Sequence, residues 1–415
     1  MSKPYQHAQE SYAALGINTD AAIRQAAATP ISIHCWQVDD VGGYEVKEGP
    51  LAGSGTLATG NYPGRARTPA EARQDFEQVL KLVPGKLRLA LHAIYAETDG
   101  QIVNRDALEP KHFANWMDWG KRHGVHLDFN PTYFAHPKAN DGFTLSHPDK
   151  GIRQFWVRHG IASRQIAAAI AKKQGGPCLV NHWVPDGCKD FPADRWTPRA
   201  LLAEAYDAML AKKLPGCVDY VESKLFGIGS EEYVVGSAEF YSSYVLSRGI
   251  GYTMDMGHWH PTEEIYDKIS ALLQFHKRLQ LHVSRPIRWD SDHVVIFNDA
   301  LRQVFLEIQR GNAWDRVAVA TDYFDASINR IAAYAIGVRA TRKAILYALL
   351  DPTAELQKLE TAGNRAGCLA LMEDAKTLPF GAVWDQLCDK AGIPRDRQWM
   401  ADVMKYEASV LQSRC

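Results

Sequence analysis

The sequence lacks any surplus of charge, with 47 basic residues standing against 48 acidic ones. A chain so balanced presents no polyelectrolyte surface, and no Lys/Arg stripe with interleaved aromatics points to a nucleic-acid partner. Cysteine is scarce: the seven present are irregularly spaced and form no Cys-x-x-Cys pair. That argues against a disulfide framework or a thiolate metal site and fits reduced core thiols, with Cys35, Cys178 and Cys217 in expected strands. No stretch of about 18 apolar residues occurs, so no membrane-spanning helix is expected. The opening Met1-Ser2-Lys3-Pro4-Tyr5-Gln6-His7 is polar and leads into an amphipathic helix, without the apolar core of a signal peptide. A G-x-G-x-x-G turn after an early strand is also missing, which argues against a doubly wound dinucleotide fold. The expectation is a soluble, cytoplasmic protein whose 46% hydrophobic residues can fill a substantial core.

What is present is an alternation of short apolar runs and longer helical patterns. Strands are expected at 31–36, 86–92, 125–130, 177–183, 217–224, 251–256, 279–284 and 316–322. Helices are expected near 68–83, 109–122, 150–173, 197–213, 237–248, 262–277, 299–310 and 327–350. Thr68-Pro69-Ala70-Glu71, Thr197-Pro198 and Pro261-Thr262-Glu263-Glu264 read as helix starts. Eight strands each followed by a helix predict an α/β fold, a (β/α)₈ TIM barrel. The expected organisation is a catalytic barrel with an N-terminal helix over 1–350 and a C-terminal helical extension over 351–415, suited to subunit contacts. The connection over 37–67, with Gly42-Gly43, Gly53, Gly55, Gly60 and Pro63-Gly64, emerges at the barrel mouth, where a mobile lid and an ordered loop are equally open readings.

The chemistry lies at strand ends. Glu222, Asp255, His282 and Asp322 each close a different strand, the fifth to the eighth. Acids ending apolar strands are costly unless paired. Oxygen and imidazole donors converging from four strands suit a divalent cation, Mn²⁺ or Zn²⁺. A second set, His258, Asp290 and Asp292, lies on the loops just beyond. If Asp290-Ser291-Asp292 is extended, its two carboxylates face one way and can chelate one ion or bridge two; a capped turn is the competing reading. His260 and His293 are weaker candidates, outer donors at most. Lys224, two residues past Glu222, points to the same interior and can hold a substrate oxygen or donate a proton. Trp36, Trp183 and Phe134 supply apolar walls, whereas His34, His182 and His136 read as structural.

Over essentially its whole length the chain resembles the L-rhamnose isomerase family of xylose-isomerase-like barrels. The resemblance is carried by Ile33-His34-Cys35-Trp36, Ala58-Thr59-Gly60-Asn61-Tyr62-Pro63-Gly64, Leu91-His92-Ala93-Ile94-Tyr95 and Asp128-Phe129-Asn130-Pro131. It continues in Val221-Glu222-Ser223-Lys224-Leu225-Phe226-Gly227, Arg285-Pro286-Ile287-Arg288-Trp289-Asp290-Ser291-Asp292-His293 and Phe324-Asp325-Ala326-Ser327-Ile328-Asn329-Arg330. The resemblance implies a cytoplasmic homotetramer that interconverts L-rhamnose and L-rhamnulose, the first step of rhamnose degradation. It implies two divalent cations per subunit, Mn²⁺ foremost with Zn²⁺ or Co²⁺ as alternatives. Glu222, Asp255, His282 and Asp322 would hold a structural ion; His258, Asp290 and Asp292 would hold the catalytic one. His92, Trp183 and Lys224 match substrate-binding positions, and the glycine-containing connection matches a mobile segment that helps enclose the sugar.

The expected reaction is a 1,2-hydride shift, with Lys224 stabilising O1 and Asp322 orienting, or taking a proton from, a bound water; an enediol route is the competitor. Three functional rivals stand beside it: relaxed specificity for another aldose, a metal-dependent barrel hydrolase and a non-catalytic sugar-binding protein. The hydrolases usually carry His-x-His on strand one, where this chain has His34-Cys35-Trp36. A non-catalytic sugar-binding protein would leave the second ligand set without a task.

Overall fold

The computed structural model describes residues 2–45, 60–225 and 231–414. All eight expected strands form: β1 (Ile31–His34), β2 (Leu87–His92), β3 (His126–Asn130), β4 (Cys178–Trp183), β5 (Cys217–Glu222), β6 (Gly251–Asp255), β7 (Leu279–Val283) and β8 (Val317–Thr321). They pair in parallel and in chain order, and β8 returns to β1 to close the barrel. Outward Leu and Val side chains, such as Leu89, Leu91 and Val319, are buried against the surrounding helices. Closure leaves no unpaired sheet edge.

The expected helices are present at Pro69–Leu80, Ala114–His123, Lys150–Gln174, Trp196–Leu210, Ala238–Arg248, Ile265–Leu273, Asp299–Arg310 and Arg330–Leu349. Their ends follow capping chemistry. Thr68, Asp149, Asn298 and Asn329 each accept a backbone N–H at a helix start. Two starts differ from expectation. Asp194 caps the backbone of Trp196 and Thr197, so that helix begins at Trp196. At Pro261-Thr262 the side chain of His260 bonds Thr262, while the Glu263 N–H bonds the His260 carbonyl. This makes a separate turn and delays the helix to Ile265. A two-stranded antiparallel ribbon, Gly187–Cys188 with Tyr233–Val234, was not visible in the sequence. Two residues per strand are too few to show a period.

The chain beyond the last barrel helix folds into helices Thr353–Thr361, Arg365–Ala375, Phe380–Ala391 and Trp399–Ser409. Its end packs back on the barrel: Arg414 pairs Asp75 at 2.8 Å, and the Tyr406 hydroxyl donates to Asp75 at 2.6 Å. Of the glycine-containing connection, residues 46–59 lie outside the described residues, so the lid expectation falls there; Phe226 and Gly227 are also outside them.

Two arginines fasten the amino-terminal end of the barrel, Arg88 half-buried and Arg342 buried. Arg88 forks onto Asp128 at 2.6 and 2.8 Å, and Ser32 donates to the same carboxylate at 2.7 Å. Arg342, fully buried on the last barrel helix, donates to the carbonyls of Ala26, Thr29, Pro84 and Lys86 at 2.5–3.0 Å. Gly85, at φ +90°, lets the loop come this close: a Cβ there would sit 2.9 Å from the guanidinium carbon. Burial lowers the Arg342 pKa to about 9. Replacing Arg342 with Ala should strand these carbonyls and lower stability by roughly 3 kcal/mol or more. Urea unfolding reads this directly; a loss under about 1 kcal/mol would mean that water replaces the guanidinium.

Candidate metal centre at the barrel mouth

The register of the barrel assembles the first set of donors. Asp255 on β6 pairs with His282 on β7, and His282 pairs with Ala320 on β8, two residues before Asp322. Glu222 on β5 pairs with Thr253, two residues before Asp255. The four donors are therefore offset from one another by even numbers of residues and, because side chains alternate, share the inward face. Ligand atoms of Glu222, Asp255, His282 and Asp322 lie within 4.8 Å of one another. His282 Nδ1 stands 3.3 Å from Glu222, 3.4 Å from Asp322 and 3.8 Å from Asp255.

The second group, within the same 4.8 Å limit, is Asp255, His258 and Asp290. Asp255 thus belongs to both. The segment around Asp290 is not extended: Arg288 and Asp292 have φ of +68° and +43°, and an Arg285–His293 bridge closes the loop. Asp290 therefore turns into the site, and Asp292 stands outside the close group, its backbone carbonyl accepting from Phe324 N–H at 2.7 Å. Gly257 makes room for this approach, since a Cβ there would meet Asp290 Oδ1 at 2.3 Å.

The protein holds one side of several donors and leaves the other bare. Asn181 donates to Glu222 Oε2 at 2.5 Å, while Oε1 has no hydrogen-bond partner. Asp255 Oδ1 accepts from the Gly257 backbone at 2.5 Å and Ser284 at 3.1 Å, and Oδ2 has none. His282 Nδ1 and Asp290 Oδ1 are likewise buried and unpartnered. His258 Nδ1 donates to the Ser223 carbonyl at 2.8 Å, turning Nε2 toward Asp290 at 3.3 Å. Buried polar atoms are almost always satisfied. These bare atoms converge, and their oxygen and imidazole types fit a divalent cation.

The electrostatics agree. Burial, then the neighbouring carboxylates of Asp322, Asp290 and Glu222, push Asp255 up to about 8 although His258 opposes this. Burial and Asp290 likewise raise Asp292. Burial disfavours the cation of His258 and of His282, but the surrounding carboxylates outweigh it and raise both. So many acids in one dry pocket cannot all ionise unless positive charge joins them.

The expected substrate-facing residues line the same mouth. Lys224, just past β5, pairs Asp290 at 2.8 Å and stands 4.7 Å above the Trp183 ring. Burial lowers its pKa, yet Asp290 and Asp292 outweigh that and keep it raised, so it is a cation. Trp36 meets His92 edge-on at 5.1 Å, His92 meets Phe134 at 5.8 Å, and Phe134 meets Trp183 at 5.3 Å. His260 and His293 are exposed and bond Thr262 and Ser291, outside the clusters. His182 pairs Asp219, and His136 caps Lys138, as structural histidines do. Sequence reasoning missed Asn181, Ser284 and the Ser223 carbonyl, whose roles depend on barrel register and loop course.

A closed parallel barrel with two imidazole–carboxylate clusters at the carboxyl ends of its strands is the framework of a cation-using barrel enzyme. The family model for L-rhamnose isomerase (RhaA) matches residues 1–414. The chain is 52% identical over 416 residues to the L-rhamnose isomerase of Rhodopirellula baltica, covering 100% of this chain and 97% of that protein. It is 50% identical over 416 residues to those of Shigella flexneri serotype 5b and Salmonella agona, covering 100% of this chain and 99% of each. Among solved structures, an L-ribulose 3-epimerase aligns with a TM-score of 0.48 at 12% identity, covering 79% of this chain and 97% of that one. The chain belongs to the L-rhamnose isomerase family, and so to the aldose–ketose isomerases, which are intramolecular oxidoreductases acting on small sugars. Among the described residues no helix is long and apolar enough to cross a membrane.

Proposed function

We propose that this chain interconverts L-rhamnose and L-rhamnulose at the barrel mouth. The observation that carries the reading is the convergence of bare, buried donor atoms on Glu222, Asp255, His282 and Asp290 beneath an aromatic wall. Glu222, Asp255, His282 and Asp322 would hold one divalent cation, the structural one, and His258, Asp290 and Asp292, with Asp255 shared, the catalytic one; Mn²⁺ suits both. When bound, such cations polarise the sugar's C1 and C2 oxygens and stabilise developing alkoxide charge.

The chain's own residues do the rest. Lys224, held between Asp290 and the Trp183 face, offers a fixed ammonium to O1. His92, whose Nδ1 is 2.9 Å from Thr132 Oγ1 and whose pKa burial lowers to about 3, stays neutral and orients a hydroxyl. Trp36, Phe134 and Trp183 exclude water from the reacting carbons. In that dry space the C2 hydrogen moves with its electron pair to C1, oxidising C2 and reducing C1. The O2 proton passes to O1 by way of a water that Asp322 would orient or take a proton from.

A panel of aldoses assayed with Mn²⁺-reconstituted protein in D₂O tests both parts. L-rhamnose should be the best substrate, and L-rhamnulose should form without deuterium at C1. Another aldose turned over faster would reassign the substrate, and deuterium at C1 would replace the hydride route with an enediol.

A further inference from the structure

Behind the aromatic wall lies a buried polar chain that begins at His92. Thr132, whose hydroxyl meets His92 Nδ1, donates its backbone N–H to His159 Nε2 at 3.0 Å. His159, fully buried on the helix Lys150–Gln174, donates from Nδ1 to the Arg105 carbonyl at 2.9 Å. The Arg105 side chain, 1% exposed, then reaches back to the loop after β3. It donates to the carbonyls of Thr132 at 2.9 Å, Phe134 at 2.5 Å and Ala135 at 2.8 Å. Its remaining donors fork onto Glu45 at 2.6 and 3.0 Å.

Three carbonyls within four residues do not converge on one guanidinium in a relaxed extended chain. Ala135, at φ +50°, occupies the left-handed region that non-glycine residues seldom adopt. The turn so formed aims the Phe134 ring at His92 and Trp183. A guanidinium suits this task because its planar fork presents five donors in fixed directions.

We propose that Arg105 is a positioning residue for sugar binding, acting through Phe134 and His92 without touching substrate; this rests on the mouth being the sugar site. Arg105 fixes the backbone that aims Phe134 and, through Thr132 and His159, the hydroxyl that orients His92. Misplacing such a wall weakens ground-state and transition-state binding alike and falls mainly on KM.

The test is steady-state kinetics on L-rhamnose with Mn²⁺-loaded protein. Arg105→Lys keeps a cation facing Glu45 but cannot span three carbonyls. Its KM should rise about tenfold, with kcat within about threefold of wild type. In a Phe134→Ala background the same change should raise KM by a smaller factor, leaving only the share that passes through Thr132 and His92. A merely structural role would instead lower the active fraction, leaving KM unchanged in both backgrounds. Glu45→Gln, which loosens the fork while keeping Arg105, should raise KM in the same direction and serves if Arg105→Lys does not fold. Active wild type with unchanged KM in the variants would overturn this proposal alone. Wild type inactive on L-rhamnose would overturn the functional reading and this proposal with it.

Discussion

Turnover should disappear on thorough chelation and return with Mn²⁺. The expectation follows from the number of negative groups that the barrel mouth holds apart from water. Glu222, Asp255 and Asp290 are each under 10% exposed, yet each leaves an oxygen with no protein donor. Without a cation, the cluster settles its charge by protonation: Asp255 is pushed up to about 8, and Asp292 is raised well above the usual carboxylate range as well. A protonated Asp255 and cationic imidazoles at His258 and His282 make a poor oxygen-polarising site. Loss of activity should therefore be complete, since no side chain in the cluster can act as a Lewis acid on the sugar oxygens. The same chelation should lower the thermal midpoint. A ligand at a hundred times its dissociation constant stabilises by about 2.7 kcal/mol. Protein shown by elemental analysis to be metal-free, yet fully active, would end the metal mechanism. Loss of activity without a change in midpoint would place the ion at a weak, purely catalytic position.

The sequence made the barrel and the first donor set legible for one physical reason. Strands of period two that end in an acid or imidazole declare both their face and their end, as Ala318, Ala320 and Asp322 do. Four such strands in succession leave little freedom in where those ends meet, because successive parallel strands bring all their carboxyl ends to one side of the sheet. The loops gave less. Asp290-Ser291-Asp292 reads equally as a chelating pair or a turn, and only the left-handed backbone at Arg288 and Asp292 decides that Asp290 turns inward. The sharing of Asp255 between both groups depends on Gly257 allowing a close approach, and a glycine in a strand-end loop carries no such message by itself. Arg105 was illegible for a different reason. Its partners at Glu45, Thr132, Phe134 and Ala135 lie 27 to 60 residues away, and an arginine in a polar loop looks like a solvated one. The alternation shows where side chains point but not how loops of irregular backbone meet one another.

Asp290→Asn should cost about 10³-fold in kcat and leave the fold in place. The exchange preserves shape and removes one charge, so any effect reads electrostatics. Asp290 is the residue through which the two halves of the site meet: its carboxylate pairs Lys224 at 2.8 Å and faces His258 Nε2 at 3.3 Å. With the charge gone, the catalytic cation loses a ligand and Lys224 loses the main partner that offsets its burial. The ammonium's pKa then falls, because desolvation acts against the charged form and only Asp292 and Glu222 remain to oppose it. A factor of 10²–10³ is typical for removing one preorganised electrostatic group, and here one substitution weakens two. The loop itself does not depend on that carboxylate. Arg285 donates to the Val294 carbonyl at 2.7 Å, Ser291 holds the Ile287 N–H at 2.8 Å, and Phe324 N–H bonds the Asp292 carbonyl at 2.7 Å. Far-UV circular dichroism should accordingly match wild type while turnover falls and the basic limb of the pH profile moves to lower pH. A collapsed spectrum would make Asp290 a structural residue. An unchanged basic limb would detach Lys224 from the reaction, because Asp290 is the foremost of the carboxylates that keep its ammonium charged against burial.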